Sequence, residues 1–409
     1  MVRVLDVYLH SRLVGKLIQS DVGTMKFRYD SVWLEGDATT ILSHSLPHQA
    51  ESFRAKQCLG FFGGILPEES KRERIAKNLG ISDKNAFAML AEIGGECAGA
   101  VTFLPEGQPL EVTGASYKML AEEELEGILL DLPKRPLMAG EAGVRLSLAG
   151  AQDKITVHCF DERISVPLYG APSTHIIKPA IERYKDTVLN EAVCMKLAKA
   201  IGLPVADVDV LPLGTISALS VKRFDRDVAV DGKITRLHQE DFCQALGIVS
   251  EMKYQCEGGV SLKQAFSLVR TASSIPAIDL QHLLDVVLFN FFIGNNDAHG
   301  KNFSLIYKNG KARLAPFYDL LSTVYYPELS DTMAMKIGGQ YIPSEISNRH
   351  FERMAEEAGL SKPMVLKRIG LVADKMLSTL VQVESELPQA LKLTEFIRGY
   401  IQKMRARCV

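Results

Sequence analysis

The stretch Gly294-Asn295-Asn296-Asp297-Ala298-His299-Gly300-Lys301-Asn302-Phe303-Ser304 follows a segment in which Leu283, Leu284, Val287, Leu288, Phe291 and Phe292 recur at helical spacing. That periodicity predicts a buried helix that delivers a polar loop. Four residues separate Asp297 from Asn302, and Pro316-Phe317-Tyr318-Asp319 places a second carboxylate seventeen positions after Asn302. Between them, residues 305–307 and 312–315 flank Lys308-Asn309-Gly310, a hairpin signal.

A chain of 409 residues exceeds what one hydrophobic core usually organises, so two or three substructures are expected. Hydrophobic residues at 47% and charged residues at 23% are ordinary globular values. Lys plus Arg (47) nearly cancels Asp plus Glu (49), a net charge of -2 that disfavours direct nucleic-acid binding as the main task. The seven cysteines are scattered, the closest pair being Cys243 and Cys256, which predicts reduced thiols in a cytoplasmic protein. Residues 1–6 lack the apolar core of a signal peptide. The most apolar run, residues 283–293, is interrupted by Asp285 and Asn290 and is too short to cross a bilayer, so no membrane partner is expected.

Residues 1–110 read as a β-rich module, opening with Val2, Val4, Val7 and Leu9 among polar neighbours. It continues through Phe61-Phe62-Gly63-Gly64-Ile65-Leu66-Pro67 to a helix over residues 70–79 that Gly80 stops. Residues 108–114 and 133–143 read as connections flanking a helix over residues 121–130. A new unit begins at Val144. Ser147-Leu148-Ala149-Gly150-Ala151-Gln152-Asp153-Lys154 is a small-residue turn leading into a strand, and such a loop can lay backbone N–H groups on phosphate oxygens. A strand follows with Lys178 among apolar neighbours, then a helix over residues 190–201 with Asn190 as its cap and Glu191 in its first turn. Strands over 205–211 and 216–221 run into Lys222-Arg223-Phe224-Asp225, and Asp231-Gly232 marks a hairpin. Residues 111–237 thus read as a linker and small β-rich lobe, and 238–409 as a helical lobe.

Small-residue loop, strand lysine, helix glutamate, hinge-like strand end, Asp-x-x-x-x-Asn and a later Asp follow one another as they do in protein kinases. In that reading Asp297 accepts the proton of the attacking hydroxyl. Asn302 and Asp319 offer hard oxygens to magnesium across the triphosphate of ATP. Lys178, oriented by Glu191, supplies the fixed positive charge, and backbone groups of residues 222–225 can bond an adenine edge. His299 can shape the loop, touch phosphate or cap a turn. The fold class is α+β, a two-lobed kinase-like fold with an N-terminal β-rich module.

The segments over residues 147–154, 174–178, 221–226, 239–241, 297–304 and 316–319, with residues 61–66 and 92–101, resemble the HipA family of bacterial serine/threonine kinase toxins. The resemblance implies ATP and Mg as cofactors and Asp297 as catalytic base. It implies Asn302 and Asp319 as metal ligands, and Ser147, Ala149, Gly150, Ala151, Lys178, Lys222, Phe224, Asp225, Gln239 and His299 in the nucleotide site. It further implies self-phosphorylation of Ser147 as an off switch, and a helix-turn-helix antitoxin of the HipB type through which DNA is reached. The implied target is a protein such as the glutamyl aminoacyl-tRNA synthetase, with growth arrest and persistence as the outcome. Lys222 departs from the family, which more often carries an acidic residue there. Two other readings stay open at this level: a catalytically weak co-repressor that binds a DNA-binding antitoxin, and a small-molecule phosphotransferase.

Overall fold

The computed structural model describes residues 2–36, 41–108, 110 and 116–408. The chain gathers into two compact units. The first comprises Met1–Ile181, Leu211–Glu251 and Leu305–Lys311, the second Glu182–Val210, Met252–Ser304 and Ala312–Val409.

The first unit opens with five antiparallel strands, β1 (Arg3–Leu9), β2 (Arg12–Gln19), β3 (Met25–Tyr29), β4 (Phe53–Arg54) and β5 (Val101–Pro105), in the order β4-β3-β2-β1-β5. Strand alternation buries Leu5, Val7 and Leu9, so Val2 and Val4 fall on the other parity and Val2 is exposed. The Phe61-Phe62 region is helical (Ala55–Gly64). A Cβ on Gly60 would stand 2.4 Å from the Gly247 carbonyl carbon, so glycine is what lets this helix approach that backbone. The next helix, Glu69–Leu79, ends on left-handed Gly80 as the sequence predicts. The expected connection over 108–114 lies mostly outside the described residues.

The same unit holds a second sheet: β6 (Ser116–Met119), β7 (Ile155–Phe160), β8 (Arg163–Leu168), β9 (His175–Pro179), β10 (Val208–Leu213) and β11 (Ile216–Lys222), ordered β10-β11-β9-β7-β8-β6. Its outermost strand comes from residues 116–119, a short polar run without apolar alternation. As an edge strand with little buried surface, it carries no sequence signal.

A buried ionic cluster joins the two sheets' surroundings. Glu96 Oε1 accepts from Arg223 (3.1 Å), Arg226 (2.8 Å) and the Ser173 hydroxyl (2.8 Å), while Arg236 lies 2.6 Å from its second oxygen. Asp225 takes Arg223 through two bonds (2.9 and 2.8 Å), the Gly99 amide (2.7 Å) and the Gln239 side-chain amide (3.0 Å). Burial alone would raise both carboxyl pKa values, but the surrounding guanidiniums hold Glu96 and Asp225 below the usual carboxylate range. Nearby, Glu240 is buried and accepts from Ser43 Oγ (2.5 Å), Tyr307 (2.5 Å) and the His44 amide (2.9 Å). Here no cation compensates, and burial raises its pKa to about 7.

The second unit is helical: Thr187–Ala200, Leu262–Ala272, Pro276–Ile293, Asn348–Ala358, Lys362–Glu386 and Leu391–Cys408. Lys362–Glu386 packs against Thr187–Ala200, Pro276–Ile293, Asn348–Ala358 and Leu391–Cys408. The helix predicted from Asn190 begins at Thr187. Asn190 lies inside it and, instead of capping it, exchanges two hydrogen bonds with the Ser322 backbone (2.9 and 2.8 Å). Pro276–Ile293 is 18 residues long and apolar enough by length and composition to cross a membrane, yet 67% of it is buried inside the protein. Its Asp285 pairs with Arg368 at 2.5 Å.

Replacing Glu96 by Ala strands buried guanidiniums and is expected to cost about 3–5 kcal/mol. A Glu92→Ala control at an exposed position should change little, and urea unfolding measures both. Glu240 has a folded pKa raised from 4.5 to about 7, so its contribution to stability is present below about pH 4.5 and lost as pH rises through about 7. The stability of Glu240→Gln relative to wild type should therefore grow by about 3 kcal/mol from pH 4.5 to 8, read from denaturation midpoints across pH.

Candidate functional site

In the first unit the chain reaches the small-residue loop by running parallel to residues 96–97. The Glu96 amide donates to Arg145 O and the Ser147 amide to Glu96 O (2.8 and 2.9 Å). Ser147 is fully buried and its hydroxyl donates to Ile65 O at 3.0 Å. Gly150, at φ 104, presents its amide to Glu68 Oε1 (3.2 Å). Only glycine adopts that backbone readily, and a Cβ would also meet Lys154 Nζ at 2.5 Å. Lys154 Nζ closes the turn on Ala149 O (3.0 Å), Lys71 pairs with Asp153 at 2.5 Å, and Gln152 Nε2 reaches Pro179 O at 3.4 Å. Residues 65–71 therefore grip the loop at three points. The sequence carries no motif for Glu68 or Lys71, because their role depends on a long-range approach of two segments.

Lys178 is buried in β9, which lies between β11 and β7 inside the sheet, with Leu219 opposite it. A lysine that guards a sheet against aggregation belongs on an edge strand. A buried ammonium at the sheet centre is instead held in one place. Lys222, opposite His175 at the end of β11, is exposed, and Phe224 is half-buried. Asp225 and Gln239 are brought together by their 3.0 Å bond. Asp225 is engaged on both carboxylate oxygens within the arginine cluster, which leaves its backbone as the group it can offer a nucleotide.

In the second unit Pro276–Ile293 ends on Gly294 at φ 70, where a Cβ would stand 2.2 Å from Val324. The loop that follows is organised by two asparagines. Asn295 Oδ1 accepts the Asp297 amide (3.2 Å), while its Nδ2 bonds Asn290 Oδ1 (3.0 Å) and lies 3.5 Å from Asp319 O. Asn296 accepts from the Ala334 amide (2.7 Å), donates to Ser330 O (3.1 Å) and receives Thr323 Oγ1 on its own amide (2.8 Å). The turn continues through His299 N to Asp297 O (2.8 Å) and Asn302 N to His299 O (2.9 Å), so the Gly300–Asn302 3-10 turn sets Asn302. Tyr318 accepts or donates with Ser304 and bonds Lys301 O, each at 2.7 Å.

Asp319 adopts φ 55, a left-handed conformation uncommon for a residue with a Cβ and one that clusters at functional sites. Asp297, Asn302 and Asp319 are thus gathered in one unit, with Asn295 bridging the Asp297 loop to the Asp319 backbone. Glu191 is buried in the first turns of Thr187–Ala200, in the same unit. His299 is buried and sets its ring edge-to-face against Tyr254, with centroids 5.4 Å apart. Tyr254, which carries no sequence signal, donates its hydroxyl to Asp297 Oδ1 at 2.7 Å.

These features recur among known proteins. The family models of the HipA N-terminal domain and the HipA-like C-terminal domain match residues 5–104 and 146–380. A protein of Sinorhizobium fredii named putative kinase Y4mE is 45% identical over 93% of this chain and 92% of its own. The serine/threonine-protein kinase toxin HipA of Shewanella oneidensis is 29% identical over 99% of this chain and 95% of its own. The solved complex of Shewanella oneidensis HipA with HipB and its operator DNA contains a chain that superposes with a TM-score of 0.85 at 29% identity, covering 98% of this chain and 96% of that one. The α+β, kinase-like architecture is therefore shared along nearly the whole chain. With a family model spanning more than half its length and full-length relatives of the same kind, the chain belongs to the HipA family of kinases.

Proposed function

We propose that this protein is an ATP- and magnesium-dependent serine/threonine kinase, the toxin of a pair whose other member is a HipB-type helix-turn-helix antitoxin. The observation that carries the reading is the second unit's loop. Asp297 and Asn302 sit on one turn, and Asn295 ties that turn to the left-handed Asp319. One carboxylate and one amide oxygen suit magnesium, which is usually bound by few protein ligands and completes its shell with phosphates and water.

Asp297 accepts the proton of an acceptor hydroxyl as that oxygen attacks the γ-phosphorus and the bond to the β-phosphate oxygen breaks, releasing ADP. Asn302 and Asp319 hold the cation, which when bound neutralises charge on the phosphates. Lys178, with Glu191 as the residue that orients it, adds a fixed positive charge on the phosphates. The loop of residues 147–154 and the backbone of residues 222–225 take the phosphates and the adenine. A net charge of -2 fits a protein that reaches operator DNA through its partner. The proposed target is a translation protein such as an aminoacyl-tRNA synthetase, and self-phosphorylation of Ser147 is the proposed off switch.

Asp297→Asn should lower transfer from γ-labelled ATP to protein serine by about 10³-fold, and chelation of divalent cations should stop it until magnesium is restored. A purified wild-type chain that labels neither itself nor any lysate protein would sink the reading. Because Ser147 is buried against Ile65, its modification requires the loop to leave residues 65–71. Glu68→Gln with Lys71→Met should raise amide exchange over residues 147–154 about tenfold and speed labelling of Ser147, measured by exchange mass spectrometry and phosphopeptide mapping.

A further inference from the structure

Tyr254 stands apart from every motif used so far, yet its hydroxyl lies 2.7 Å from Asp297 Oδ1. A carboxylate at the end of a broad χ2 torsion samples many orientations, and a general base must present one oxygen in one direction. The phenol is a neutral donor at physiological pH, so it can hold one oxygen of Asp297 while the other stays available to an acceptor hydroxyl.

The surroundings fix the phenol as firmly as the loop it serves. Tyr254 O accepts the Gly259 and Glu257 amides (2.9 and 3.0 Å), and the Gln255 amide donates to Ala334 O (3.0 Å). Gln255 Oε1 takes the Lys336 amide (2.8 Å), and the Ala334 amide bonds Asn296 O (2.7 Å), one residue before Asp297. Residues 334–336 thus grip both the turn that carries Tyr254 and the loop that carries Asp297. The tight turn after Tyr254 needs Gly259, where a Cβ would meet Met252 O at 2.3 Å. On its flanks the ring meets His299 edge-on at 5.4 Å, and Lys253 Nζ lies 5.5 Å from its centroid.

We propose that Tyr254 is a positioning residue for phosphoryl transfer, fixing the Asp297 carboxylate through its hydroxyl. His299 serves as the wall that sets the phenol ring, which gives this histidine a task distinct from phosphate contact. The inference rests on the kinase reading, with Asp297 as base.

The test is Tyr254→Phe, which keeps the ring against His299 and removes only the hydroxyl. Single-turnover transfer from γ-labelled ATP is followed with the full-length chain and total bacterial protein as acceptors. The rate should fall about 10- to 100-fold, with half-saturating ATP within about twofold of wild type and the thermal midpoint unchanged. An unchanged rate, or a loss that appears only as weaker ATP saturation, overturns the positioning role while wild-type transfer upholds the kinase reading. A faster variant also overturns it, because the phenol would then be blocking the acceptor's place on Asp297. Silence of the wild-type chain on both acceptors defeats the kinase reading and this role together.

Discussion

Glu96 is a carboxylate that folding removes wholly from water and sets among three guanidiniums. Left alone it would cost several kcal/mol, so the residues around it are constrained as a set. Arg223 and Arg226 come from the end of β11 and the turn beyond it, Arg236 from the hairpin that follows, and Ser173 from the entry to β9. Glu96 itself lies between the Ala86–Ile93 helix and β5. Its backbone carries the same obligation, because its amide and carbonyl bracket Arg145 and Ser147. One residue therefore fixes the origin of the small-residue loop and the direction in which β11 leaves its sheet. Two sheets that could have formed separate cores are held in one compact unit.

Sequence patterns reveal what repeats or what punctuates. The helix ending at Gly294, the hairpin at Asn309-Gly310 with both residues at positive φ, and the stop at Gly80 follow from period and turn chemistry alone. The spacing from Asp297 to Asn302 to Asp319 is also local enough to read. Partners chosen across long separations are not. Asn190 looks like a cap because the residue type suits one, and only the fold shows Ser322 claiming both ends of its amide. Asp225 looks like a site residue, and the fold fills its carboxylate with Arg223, Gly99 and Gln239. Glu68, Lys71 and Tyr254 have no local signature at all, since their meaning lies in residues 82, 82 and 43 positions away.

The second unit solves a different problem. Its central helix is apolar on nearly every side because helices pack around it, and that burial explains a composition that would also suit a lipid environment. At its end the chain must turn sharply into polar residues without leaving buried amides unpaired. Asn290, Asn295 and Asn296 do this, each offering both a donor and an acceptor within one short loop. Rigidity at Asp297 then comes from amides and not from ion pairing, which spares the site a competing positive charge.

The seat of Ser147 has a consequence for time. The hydroxyl fits because it is small, neutral and able to donate to Ile65 O, with the Glu68 carboxylate engaged on Gly150 close by. A phosphate on that oxygen would bring about -1.5 to -2 charges into a dry seat that offers a carbonyl and a carboxylate. The loop could not settle back until the phosphate was removed. Once marked, each molecule would keep a record of the event that outlasts its cause, and a population would forget only as fast as it is dephosphorylated or diluted by new synthesis.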